Sequence, residues 1–145
     1  MLCTVGDDMA QGTAGPNGGW TFWRGPELSN KILMATRDAV FQAGEAILEV
    51  AITQVPLDEG ALQGSGMVSM ASNDIAMALA IISFGGGYGT GHPKVPYAVR
   101  WHENNANFQR GRKMRYLADP VNSMGQNALN SALRLNVGSV LMGGL

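Results

Sequence analysis

The chain has 145 residues, 46% hydrophobic and only 14% charged, with twenty glycines and a net charge of −1. That size supports one core and argues against a second domain, and charge well below the ~25% of an ordinary soluble domain leaves a surface that is uncharged, loop-rich or covered by partners. The longest apolar run, Ile75 to Phe84, falls short of the ~20 residues a membrane-crossing helix needs, and a lone Cys3 cannot close an internal disulfide.

Residues 1–25 are rich in Gly, Asp, Thr and Asn without a period and read as an extended arm. No basic segment leads into an apolar stretch there, so nothing resembles a secretory signal and synthesis in a cytosol is expected. Trp20, Phe22 and Trp23 end the arm. Aromatic side chains of this size need a docking surface, either this chain's own core or a neighbour.

Gly25-Pro26-Glu27 is a helix entry, because proline is tolerated in the first turn and a carboxylate suits the positive end of the dipole. Leu28, Ile32, Ala35, Ala39, Ala43, Ala46 or Ile47, and Val50 then follow at spacings of three or four. This predicts a helix over 26–54 with an alanine-rich stripe, while Lys31, Arg37, Asp38, Glu45 and Glu49 lie largely off it. Pro56 stops it.

Pro56-Leu57-Asp58-Glu59-Gly60 is a turn signal. Two antiparallel strands are expected over 65–72 and 74–84 about a Ser72-Asn73-Asp74 tip, with a helix over 75–83 as the competing reading. In the second strand Ala76, Ala78 and Ala80 alternate with Met77, Leu79 and Ile81, so one face can lie close under the long helix. Residues 85–93 form a glycine loop. Its Gly86 and Gly91 have Walker spacing, but His92 and Pro93 stand where phosphate binding needs lysine and a hydroxyl residue. Tyr97–Glu103 is a short helix or strand, and 104–112 a loop. Leu117, Val121, Met124, Ala128, Ala132 and Leu135 predict a second long helix from Tyr116, loosened at Gly125 and fraying at Gly138, before a tail at 141–145. The domain proper is 26–140, of α+β class.

Catalytic chemistry has no constellation to rest on. His102-Glu103 lacks the second histidine of H-E-x-x-H because position 106 is alanine, and Ser65 is flanked by Gln63 and Met67 rather than the glycines of G-x-S-x-G. Neither an enzyme nor a metal or cofactor site is expected. His102 reads as a hydrogen-bond donor or an aromatic contact.

Charge is distributed unevenly. From Lys94 to Arg115 six cations, Lys94, Arg100, Arg110, Arg112, Lys113 and Arg115, face the single acid Glu103, whereas the preceding residues are acidic. Beside Phe108 and Tyr116 such a segment suits weak, salt-dependent phosphate contact, but the pI near 6.1 argues against a dedicated nucleic-acid binder. The alternative is an acidic surface on an adjacent protein, such as Asp58-Glu59 of another copy, a heterologous contact of the kind that closes rings.

Two stretches carry a family resemblance. Val55-Pro56-Leu57-Asp58-Glu59-Gly60-Ala61-Leu62-Gln63-Gly64-Ser65 resembles a helix-ending turn, P-x-D-x-G-x-L followed by serine, with glutamate in place of the more usual threonine before glycine. Tyr97-Ala98-Val99-Arg100-Trp101-His102-Glu103, Gly111-Arg112-Lys113 and Tyr116-Leu117-Ala118-Asp119-Pro120 resemble Y-A-x-x-x-H-E and a Y-L-x-x-P helix entry. Over about residues 27–135 the chain is similar to the head-to-tail joining proteins of tailed bacteriophages, the tail-completion, neck or minor capsid family. The arm departs from that pattern.

The resemblance implies an α+β subunit, a long helix on an antiparallel sheet, in a virion ring between head-closure proteins and the tail terminator or tube. Six copies follow from tail symmetry, twelve beside a portal. Passing contact with genomic DNA, a tail terminator or a weak nucleic-acid-binding accessory are the alternatives. It makes Pro56, Asp58, Gly60, Leu62, Tyr97, His102, Glu103, Tyr116, Leu117 and Pro120 structural. The candidate contact residues are Asp58, Glu59, Tyr88, His92, Arg110, Arg112, Lys113 and Arg115. Charge reversal at Arg112 and Lys113 is expected to block joining and leave the monomer folded.

Overall fold

A computed structural model describes residues 25–56, 60–86, 95, 97–104, 107–108 and 111–143, together with the backbone of 13–14 and 20–21. The order is β1 (Thr13–Ala14), β2 (Trp20–Thr21), α1 (Gly25–Gln54), α2 (Ala61–Gly64), β3 (Met67–Met70), β4 (Ala80–Ser83), α3 (Ala98–Glu103) and α4 (Ala118–Gly143). The class is α+β, as the residue pattern predicts. β1 pairs with β2 and β3 with β4, both antiparallel, in separate two-stranded sheets.

Helix α1 organises the rest because its buried stripe, Ala35, Ala39, Ala43, Gly44, Ile47, Leu48 and Ala51, is mostly small. Small side chains let two layers approach one helix at once. Along one side runs α4, whose buried Ala132 packs on Ala39 and Ala43 with Ala128, Leu129 and Leu133 around it. Gln42 exchanges hydrogen bonds with Asn136 while Gly125 lies beside Ile47, so the two helices are antiparallel. Along the adjacent side lies the β3–β4 hairpin. Gly44 is required there, since a Cβ would come 2.9 Å from Val68 Cγ1. Leu28 begins the expected stripe but is 36% exposed, because the burial starts only at Ala35.

The hairpin is shorter than expected, and residues 75–79 are neither strand nor helix. Local hydrogen bonding wins: Asp74 Oδ1 accepts from the Ala76 amide at 2.9 Å, Ser72 Oγ from the Asp74 amide at 3.0 Å and the Asp74 carbonyl from the Met77 amide at 3.1 Å. The tip is therefore a broad turn. Arg37 reaches across from α1 and donates to the carbonyls of Ser72 (2.8 Å), Met77 (3.1 Å) and Asp74. Register places Val68 opposite Ile82 and Met70 opposite Ala80, which puts these four on one face. Val68 and Ala80 meet α1 at Gly44, whereas Ile81, on the other face, is 48% exposed.

Helix α4 also corrects an expectation. It continues through Gly125 and Gly138 to Gly143, so Leu141 and Met142 are helical rather than tail. One helical glycine costs only about 1 kcal/mol, and the packing on α1 outweighs that.

The close approach of α1 and α4 predicts opposite effects of two small changes. Ala39→Leu, at a fully buried position, should lower stability by about 1–3 kcal/mol through overpacking. Gly138→Ala, where an added Cβ meets nothing within 4 Å, should raise it by about 0.5–1 kcal/mol. Thermal unfolding followed by circular dichroism measures both.

Candidate protein-protein interface

The two motif stretches fold into one knot at the C-terminal end of α1. Val55, Leu62, Val95, Ala98 and Tyr116 form its buried centre, with Phe84, Tyr97, Trp101 and Leu117 against it. Gly60 permits the turn by standing at φ +82°. Ser65, 2% exposed, donates to the Leu62 carbonyl at 2.7 Å and accepts from the Gly85 amide at 2.8 Å. That hydroxyl ties α2 to the base of the hairpin. Tyr116 donates to the Ala98 carbonyl at 3.0 Å and lies edge-on to Phe84, 5.3 Å between centroids, and to His102, 5.0 Å. Pro120 is fully buried where α4 begins.

His102 packs edge-on against Tyr116. Its Nδ1 lies 2.7 Å from Glu103 Oε1, which makes Nδ1 the protonated nitrogen, and Nε2 is buried without a partner among the described residues. No group of three His, Cys, Asp or Glu among the described residues could hold a metal ion. Nor is any described helix long and apolar enough to cross a membrane.

Among the described residues, Arg112, Lys113 and Arg115 of the basic segment bond within the subunit, although Lys113 and Arg115 stay about half exposed. Helix α1 has no cation in its own last turn. Arg112 supplies one from a distant loop: its Nη1 donates to the carbonyls of Ile52 and Val55, both at 2.9 Å, while the Lys113 amide donates to the Gln54 carbonyl at 3.1 Å. Carbonyls that a helix leaves unpaired at its end are satisfied, and a cation sits at the negative end of the dipole. Lys113 Nζ is 2.9 Å from Asp119 and Arg115 Nε 3.6 Å from the same carboxylate. The hydrogen bond from Lys113 is the main reason that Asp119 titrates below its usual range, so this contribution to stability fades as pH falls. Arg115 also stands at φ +54°, its amide donating to the His102 carbonyl at 2.9 Å. Charge reversal at Arg112 would thus act on α1's terminus as well as on any partner, so its effect on joining would not by itself mark a contact. Arg100 stays on the exposed side of α3, over the Trp101 ring at 5.9 Å.

The other contact candidates, Asp58, Glu59, Tyr88, His92 and Arg110, lie outside the described residues, as do Phe22, Trp23 and the side chain of Trp20. The described surface offers apolar groups instead. Met77, Leu79 and Ile81 are about half exposed on the hairpin, Val99 71% on α3, and Leu135 72% and Met142 85% on α4. An apolar groove of about 350 Å³ lies between β4 and α4 over the middle of α1. Sequence reading missed the groove, whose walls come from three separated segments, and placed Arg37 only off the apolar stripe because nothing in helical spacing reveals a hairpin tip across the helix. Comparison with protein-family models, curated proteins and solved structures finds no match for this chain.

Two substitutions test the knot. Arg112→Ala should cost about 2 kcal/mol, the scale of charged hydrogen bonds plus a helix-end charge, read from chemical denaturation. Burial pushes the Tyr116 hydroxyl up to about 12 from 10.0. A raised folded-state value means that the neutral phenol's contribution is complete below pH 10 and lost as pH rises towards 12, up to about 3 kcal/mol. Tyr116→Phe should be less stable at pH 7 by about 1–2 kcal/mol and lack this alkaline loss, as denaturation at pH 7, 10 and 11.5 can measure.

Proposed function

We propose that this chain is a ring-forming structural subunit at the head–tail joint of a tailed phage, linking head-closure proteins to the tail, and has no catalytic role. The observation that carries the reading is the convergence of the resembling motifs. Gly60 sits in the left-handed turn, Leu62 and Tyr116 are each 2% exposed in one cluster, His102 stacks edge-on to Tyr116 and Pro120 closes the start of α4. Positions far apart in sequence thus hold the same junction, which supports reading the motifs as one structural unit.

Self-assembly draws support from the unusual surface. Met77, Leu79 and Ile81 are each about half exposed close together on the hairpin, and neighbouring exposed apolar groups of this kind suit a contact surface. A tail terminator belongs to the same class of virion ring and is distinguished by its layer. The nucleic-acid reading loses weight because Arg112, Lys113 and Arg115 are bonded within the subunit.

The test is antibody labelling of intact virions from the source, viewed by electron microscopy with an antibody that recognises the assembled form. Label at the head–tail junction is the expected result. Virions without label, together with retardation of DNA by the purified protein at low salt, would overturn the reading in favour of an accessory nucleic-acid binder.

A further inference from the structure

The groove over α1 asks for an occupant. Its floor includes Ala43 and Ile47, one wall Ala80 and Ile82 of β4, the other Val121 and Leu129 of α4. Every lining residue is apolar or glycine. Small-molecule sites place a few polar groups to orient their ligand, and no polar side chain lines this one. β4 pairs with β3 alone among the described residues, and the groove takes its strand wall from β4 without a residue of β3. An unpaired strand edge therefore borders the groove, which suits an extended peptide carrying apolar side chains.

We propose that the Trp20–Trp23 segment of a second copy docks here, adding a strand beside β4 and placing Trp20 and Phe22 in the groove. This rests on the self-assembling part of the function proposed above. Trp20–Thr21 is already extended, and Trp20-Thr21-Phe22-Trp23 is uncharged, aromatic and β-favouring. In an extended chain Trp20 and Phe22 point to the same side.

Reach decides between the same chain and a neighbour. Along α1, Val40 stands roughly 22 Å and Ile47 roughly 33 Å beyond Gly25. Chain between Gly25 and Trp20 spans at most about 18 Å even drawn straight back along the helix. The Trp20 backbone thus stops short of its own groove, and Phe22, at most about 11 Å from Gly25, falls well short of it. Donation to the next copy is a heterologous contact, and repeated with rotation it closes a ring.

Light scattering coupled to size exclusion, on the full chain at matched concentrations, tests this with Trp20→Ala, Gly125→Leu and their combination. Gly125 lines the groove, and a Cβ there meets only Ile47 Cδ1 at 3.8 Å, so leucine grows into the space without a backbone clash. Wild type should be oligomeric. Each single variant should weaken association roughly 30-fold or more, as loss of a central aromatic anchor does, and the combination should add little. Circular dichroism should show both variants folded, with Gly125→Leu melting higher. Should Gly125→Leu fail to fold, Val121→Glu on the 41% exposed rim replaces it. Association left unchanged by either single variant overturns arm donation and leaves the ring reading intact. A wild-type monomer at every concentration overturns both.

Discussion

Everything in this subunit depends on the narrowness of one side of α1. Ala39, Ala43 and Gly44 leave so little between backbone and neighbour that α4 and a two-stranded hairpin share a single helix as their support. Close approach gains dispersion contacts but buries small side chains, so the area removed from water per residue is modest. The larger buried groups gather elsewhere, in the knot around Val55 and Tyr116. The molecule therefore has two cores of different character: a tight seam of small residues along α1 and α4, and a compact aromatic junction where α1 ends.

The junction explains how far charge counting can mislead. A segment that reads as a basic patch in sequence delivers Arg112 to helix-end carbonyls and Lys113 and Arg115 to one aspartate. Formal charge is a property of the chain, whereas availability depends on which carbonyls the fold leaves unpaired nearby. The same holds for Ser65, whose hydroxyl has no catalytic spacing and whose task is to bridge two backbone groups. Among the described residues, apolar side chains are also available for contact, on α4, the hairpin and the rim of the groove.

What was legible in the sequence was whatever repeats or breaks locally. The bounds of α1 follow from Pro26 and Pro56, and its stripe from regular alanine spacing. The Gly60 turn and the start of α4 near Pro120 likewise carry their own signals. Misjudged features were decided by distant partners. The Asp74 turn shortens β4 with help from Arg37, and α4 passes through Gly125 and Gly138 because α1 supports it. Of the candidate contact residues, the sequence identified the basic loop as distinctive but could not reveal that Arg112 turns in to the end of α1 and that Lys113 and Arg115, still exposed, share Asp119.

The hairpin deserves a mechanical description. Two short strands alone are at best marginally stable in water. Here they are fastened at both ends, by Arg37 at the tip and by Ser65 and Gly85 at the base, with Val68 wedged against Gly44 between. A strut pinned at two ends and pressed at its middle has no soft direction in which to swing relative to α1. Load placed on its exposed face passes directly into the long helix at Gly44, about 16 Å along it from Val55 in the junction.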